Sequence, residues 1–173
     1  MPSPTDPSNK TNPIIRERSH RLPREHYLGH VVVSFTACIE YRNKAFINPD
    51  IVYAFVEILR SVAEKYSCIV LVYCFMPDHL HIVVQGINPQ ADTLRLMNEF
   101  KQKTGFWFAR QGGKYRWQKD FHDHILRSDE NVRDHVIYIA NNPVRQKLVQ
   151  CVSEYPFTGS IGVDLETIVG DSV

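Results

Sequence analysis

Residues 68–85 constrain the fold of this chain more than any other stretch. Cys68 to Phe75 is almost continuously apolar and rich in β-formers, the pattern of a central strand. Met76-Pro77-Asp78 makes a turn, and His79 to Gln85 returns with Leu80, Ile82 and Val84 alternating against His79, His81 and Val83. Side chains two apart on a strand share a face, so the two histidines point the same way, opposite the apolar set. The chain is thereby committed to a sheet that carries a polar H-x-H pair on one side.

The remaining elements fall into place around that hairpin. His30 to Cys38 alternates, with Val31, Val33, Phe35 and Ala37 on one face, as a half-buried strand should. Asn48-Pro49 supplies an N-cap and a first-turn proline for a helix carrying Ile51, Val52, Phe55, Leu59 and Val62 and ending near Tyr66. After a loop at 88–92, Leu94, Met97 and Phe100 mark a second helix that runs out before Gly112-Gly113. Phe121 to Arg127 reads as a fourth strand, and Ser128 as the cap of a third main helix, helped by Asp129 and Glu130 and closed by Asn142-Pro143. The order β-α-β-β-α-β plus a helix is an α+β, ferredoxin-like antiparallel sheet with two helices on one face. The other face is expected to be free for chemistry, and the extra helix carries Tyr138.

With 173 residues, one domain is expected. Residues 1–13, with four prolines among Ser, Thr and Asn, read as a flexible arm, 14–150 as the folded domain and 151–173 as an acidic tail. After Lys147 there are Glu154, Asp164, Glu166 and Asp171 and no Lys or Arg, so this tail is expected to fold back over basic surface and restrain activity. No apolar run approaches the roughly 20 residues that span a bilayer, and the polar N-terminus is no signal peptide. Cys38, Cys68, Cys74 and Cys151 are scattered without a C-x-x-C pair, which favours reduced thiols in a cytoplasm.

A net charge of +1 hides an uneven distribution. Lys101, Lys103, Arg110, Lys114, Arg116 and Lys119 follow one another with no acid between Lys101 and Lys119. Phe106, Trp107, Phe108, Tyr115 and Trp117 are interleaved with them. Cations and flat rings are what single-stranded DNA needs, since phosphates require charge and unstacked bases require stacking partners. Arg16, Arg18, Arg21 and Arg24 form a second basic cluster near the start.

On a helical wheel, Val132, Val136 and Ile139 form the apolar stripe of the third helix, and Tyr138 lies about a third of a turn away, on the side of Asn142. A tyrosine off the stripe is read as pointing into a cleft. Two histidines are not a metal site, and Asn142 is available as a neutral oxygen ligand beside the phenol. Imidazole plus amide oxygen with open positions suits Mg²⁺ or Mn²⁺ held partly through a phosphate, while Tyr138 attacks in line. His122 and His124 form a second H-x-H pair. Either pair can bind metal; the reading preferred here gives the ion to His79 and His81 and a supporting or DNA-contacting role to His122 and His124.

Four blocks in order resemble the REP-associated tyrosine transposases, relatives of the one-tyrosine HUH transposases that move insertion sequences as single strands. They are Arg21-Leu22-Pro23, Met76 to His81, Trp117 to His124, and Tyr138 to Arg145. The resemblance implies that His79 and His81 are metal ligands, Asn142 the third ligand and Tyr138 the nucleophile. It implies cleavage of single strands near palindromic hairpins through a 5′-phosphotyrosine, without ATP, in a bacterial cytoplasm and on nucleoid DNA. Insertion-sequence relatives commonly act as dimers that exchange tyrosine helices, so both a monomer and a homodimer are compatible with it. Gln146-Lys147 departs from the Ala-Gly that relatives often carry there. The competing readings are a non-catalytic single-stranded nucleic-acid-binding module on the same fold and a metallohydrolase that uses water.

Overall fold

A computed structural model describes residues 21–127 and 130–170. The proposed N-terminal arm, Arg16, Arg18, Ser128, Asp129 and Asp171 lie outside the described residues. Five strands build one antiparallel sheet: β1 (Val32–Cys38), β2 (Cys68–Met76), β3 (His79–Gly86), β4 (His122–Leu126) and β5 (Thr158–Ile161), in the order β4-β1-β3-β2-β5. The first four strands take the ferredoxin-like order, and β5 extends the sheet beyond β2. Val33, Phe35 and Ala37 of β1, and Leu80, Ile82 and Val84 of β3, are wholly buried on one face.

That face is covered by α1 (Pro49–Lys65) and α2 (Thr93–Arg110). Asn48 caps α1 by accepting the Asp50 N–H at 3.0 Å, with Pro49 in the first turn, as the sequence predicts. Asp92 caps α2 through the Arg95 N–H at 2.9 Å. Phe55 stands at the centre of the core between them, its ring 4.8 Å from Phe108 and 6.1 Å from both Phe100 and Trp117. These edge and tilted contacts add to the area burial that fixes both helices on the sheet.

The opposite face is less open than the topology alone implies. α3 (Val132–Ala140) packs Val136, Ile139 and Ala140 onto Leu71, Val72, Cys74, Met76 and Val83, forming a second apolar cluster joined by Val169 of α5 (Leu165–Val169). The part of this face that bears His79, His81 and Thr36, with Ser34, His122 and His124 beside them, keeps a polar character. A register shift between Val70 and Val72 of β2 lets Leu71 and Val72 both serve this second cluster.

Three expectations for the C-terminal half need correction. α3 begins at Val132 with Asn131 as its cap, accepting the Asp134 N–H at 3.2 Å, rather than being capped at Ser128. Glu130 is outside the helix and accepts the Arg127 N–H at 3.1 Å, so its carboxylate closes the preceding turn. Pro143 does not simply end a helix either: Asn142–Arg145 form a further turn, α4. The described part of the acidic segment is built into the fold, with β5 hydrogen-bonded to β2 and α5 packed near α3. Gly159 permits this docking, since a Cβ there would lie 2.5 Å from the Tyr73 hydroxyl oxygen. Within segment 151–170, β5 therefore completes the sheet edge farthest from β4 and α5 packs on the second cluster. Among the described residues no helix is long and apolar enough to cross a membrane.

Candidate nucleic-acid cleavage site

His79 and His81 open β3 immediately after the Pro77-Asp78 turn, so strand alternation places both rings on the outer face. Their Nε2 atoms approach to 3.1 Å. Two nitrogens bound at about 2.1 Å to one ion at a right angle lie about 3 Å apart, so the pair has the spacing of adjacent ligands. Each ring is oriented from behind. His79 Nδ1 is 2.5 Å from Asp78 Oδ1, and His81 Nδ1 is 2.9 Å from the Thr36 hydroxyl on the neighbouring strand, where Thr36 and His81 are register partners. Asp78 is itself held by Arg42 at 3.2 Å. Outer partners of this kind fix the ring and leave Nε2 for a ligand.

Burial, with smaller contributions from His79, His135 and Arg42, holds the His81 pKa down to about 4. His81 is thus neutral at physiological pH, the form in which imidazole binds a cation. Among the described residues no three His, Cys, Asp or Glu side chains gather as a metal-binding group. An ion at the dyad would need its further oxygens from a carboxamide or a substrate phosphate. Asn142 has the chemistry for the first need: it is a buried carboxamide, and its Nδ2 is without a partner among the described residues.

Tyr138 sits on α3 off the apolar stripe, but it does not enter an enclosed cleft. It is 53% exposed, and the Arg145 guanidinium covers its ring at 4.0 Å. The cation holds the ring in place while the hydroxyl makes no hydrogen bond to another described residue. Sequence reasoning missed Arg145 as a partner of the tyrosine, along with Thr36, Asp78 and His135. The Asp78-His79 adjacency and the three-residue spacing from His135 to Tyr138 were the available signals.

The second H-x-H pair shares the face but not the geometry. His122 and His124 pair with Thr36 and Ser34 of β1, which places His81, Thr36 and His122 in one row across three strands. His124 turns away to Glu130, with Nε2 and Oε2 2.7 Å apart. His122 is exposed and lines a 350 Å³ cleft with Thr36, Cys38 and Lys119. That cleft leads from the dyad toward the basic segment. Asp123 points to the opposite side, as expected, and binds Arg21 and the Tyr27 hydroxyl.

The basic and aromatic segment divides into structural and available parts. Lys101 is turned inward, donating to the carbonyls of Gln118, Lys119 and Asp120 at 2.8, 3.2 and 3.2 Å, and burial brings its pKa down to about 8. Lys103 pairs with Glu99 at 3.0 Å, Arg24 with Asp92 at 2.6 Å and Arg21 with Asp123 at 3.0 Å. Trp117 is in the core, its Nε1 donating to Thr104 at 2.8 Å, and is closed to base stacking. Phe108 is buried too, and Trp107 and Tyr115 pack against the same core, which leaves Phe106 as the exposed ring. The alternation of cations and rings on the page thus reflects an amphipathic helix end rather than a stacking ladder. Arg110, Lys114, Arg116 and Lys119 make no ion pair among the described residues. Arg116 and Lys119 border a 440 Å³ groove with Asn98, Gln102 and Gln118.

The chain is similar to known proteins in sequence and in fold. The chain is 28% identical to a candidate REP-associated tyrosine transposase of Haemophilus influenzae over 137 residues, covering 72% of this chain and 76% of that one. It is 34% identical over 83 residues to the REP-associated tyrosine transposase of Escherichia coli, covering 48% of each chain. Its fold matches that of a REP-associated tyrosine transposase solved with a REP hairpin, at a TM-score of 0.66 and 23% identity, over 80% of this chain and 81% of the other. A family model of IS200-like transposases matches residues 28–142, a span that holds both H-x-H pairs, Tyr138 and Asn142, and the chain therefore belongs to the IS200-like transposase family.

Proposed function

We propose that the protein cuts and rejoins single-stranded DNA beside hairpin sites of the REP type, with Tyr138 as nucleophile. The observation that carries this reading is the convergence of His79 and His81 Nε2 at 3.1 Å, with Asp78 and Thr36 holding the rings from behind. These two residues and Asn142 would hold a Mg²⁺ or Mn²⁺ ion. Such an ion supplies charge stabilisation to a phosphoryl oxygen and orients the scissile bond.

The chemistry of the chain itself is brief. Tyr138 oxygen attacks phosphorus in line, the bond from phosphorus to the 3′-oxygen breaks, and the 3′-oxygen takes up the proton that the phenol releases to solvent. The 5′ side remains on Tyr138 as a phosphodiester, so the bond is conserved and the freed 3′-hydroxyl can reverse the step. Arg145, stacked on the tyrosine ring, holds the nucleophile and offers charge to the incoming phosphate. His122, Lys119 and Arg116 supply a polar path for the strand away from the dyad. The likeness to a relative solved with a REP hairpin supports hairpin DNA as the substrate class.

The test is a denaturing gel of the protein with single-stranded hairpin DNA from the flanks of its own gene, with Mg²⁺ or Mn²⁺. A covalent protein–DNA band that disappears in Tyr138→Phe and in EDTA is expected, with hairpin binding retained by the variant. Cleavage by Tyr138→Phe at the parental rate would assign the reaction to water. Stoichiometric binding without a covalent band under either ion would leave a non-catalytic binding module.

A further inference from the structure

Two side-chain polar atoms are buried without a partner among the described residues, and both stand on the tyrosine segment: His135 Nε2 and Asn142 Nδ2. They lie three residues before and four residues after Tyr138: His135 is on α3 with the tyrosine, and Asn142 opens α4, the turn that follows. Asn142 already has a place in the cleavage reading. His135 has none.

The His135 ring lies over the outer face of the sheet. Its centroid is 6.4 Å from that of His124, and it is close enough to His81 to help depress that residue's protonation. In register, His124 faces Ser34 and His81 faces Thr36, so His135 stands above β1, between the metal-binding dyad and the second histidine pair. A ring nitrogen sealed from water with nothing to bond is costly to fold around. Its position beside a nucleophile marks it as a place kept for a group that arrives with substrate. The residue as a whole is only partly buried, so it is not closed off from an incoming strand. No third His, Cys, Asp or Glu joins the dyad among the described residues, so the natural partner of this ring is the phosphate rather than the ion.

We propose that His135 contacts the scissile phosphate, its Nε2–H donating to one non-bridging oxygen while Tyr138 attacks. The proposal rests on the strand-cleavage reading above. A donor fixed on the tyrosine helix meets charge as it develops on that oxygen.

The experiment compares single-turnover cleavage by the full chain on an all-oxygen hairpin substrate and on its two phosphorothioate diastereomers at the scissile position. His135→Leu is expected to lose about 100-fold on the all-oxygen substrate, with the hairpin Kd unchanged and the melting temperature no lower than the parent's. The loss should shrink to a few-fold on the one diastereomer whose sulfur, a poor acceptor, replaces the contacted oxygen. His135→Gln, which keeps an N–H at similar reach, should recover most of the rate. If His135→Leu fails to fold, His135→Asn gives the same readout, since its amide keeps polarity near Nδ1 but cannot reach. A parental rate, an equal loss on all three substrates, or a loss confined to hairpin binding would overturn the contact. A parent chain that forms no covalent product would remove the cleavage reading and this contact with it, whereas a parent that cuts normally beside an unaffected His135→Leu removes the contact alone.

Discussion

β3 and β4 each carry an H-x-H pair on the same face of the same sheet, two strands apart, yet only one pair converges. His79 and His81 have their Nδ1 atoms taken by Asp78 and Thr36, which drives both Nε2 atoms to a common point. On β4 the Nε2 of His124 is itself taken by Glu130, and His122 faces an open cleft. The motif is identical. What separates the two is which ring nitrogen the surroundings consume, and that is decided by residues outside the motif.

The largest test of this contrast removes each pair in turn. His79→Ala with His81→Ala should abolish covalent adduct formation, by at least about 1000-fold, whereas His122→Ala with His124→Ala should keep the chemical step and weaken strand binding by about tenfold at most. Equal loss in both double variants, read on the same gel, would break the comparison.

Outer partners offer the next test. Asp78→Asn should raise the Mn²⁺ concentration needed for half-maximal cleavage by about 10- to 100-fold, and Thr36→Val by less. Glu130→Gln should leave that midpoint where it is if the ion sits at His79 and His81, since the carboxylate pairs with His124 instead. A shifted midpoint in Glu130→Gln would place the second pair at the ion after all.

Protonation sharpens the same point in the metal-free protein. Burial holds His81 at about 4, below its ordinary 6.5, and His135 is lowered for the same first cause. The unfolded chain therefore binds more protons than the folded one as pH falls from 6.5 toward 4. Stability is fully present above about 6.5 and declines through that window, by on the order of 3 kcal/mol for His81. Urea unfolding in EDTA at pH 7 and pH 4.5 should show the decline, and His81→Asn should flatten it. An unchanged slope in the variant would mean that the ring is not desolvated.

The smallest effects belong to the cations leading into β4. Lys101→Ala should lower stability by about 1–3 kcal/mol, because three carbonyls lose their donor, with little change in the salt dependence of hairpin binding. Lys119→Ala should do the reverse, leaving the melting temperature in place and reducing the salt slope by about one. Fluorescence anisotropy across a salt series together with thermal melts separates them.

Much of the frame was legible beforehand because it rests on local rules. Alternation along β1 and β3, the Asn48-Pro49 start of α1 and the apolar spacing of α2 each depend on a few neighbouring residues, and the βαββαβ order follows from them. The start of α3 was not legible, since Asn131 and Ser128 are both good caps and the carboxylate of Glu130 was drawn instead to Arg127 and His124. The acidic segment was misread for a related reason. Its charge is real, but β5 gains backbone hydrogen bonds from β2, and α5 buries Val169 on the second cluster.

The sequence by itself determined the strand-borne H-x-H pair, the tyrosine and asparagine four residues apart, and the family to which they belong, because spacing along a strand or helix fixes which side chains share a face. Tertiary structure alone decided which histidine pair is drawn together, that Lys101 and Trp117 serve the core while Lys119 and His122 line a cleft, and that His135 Nε2 is sealed without a partner among the described residues on the helix of Tyr138. Those outcomes turn on which hydrogen-bonding atoms meet across distant segments and on how much water is left around them, and neither quantity is a property of local spacing.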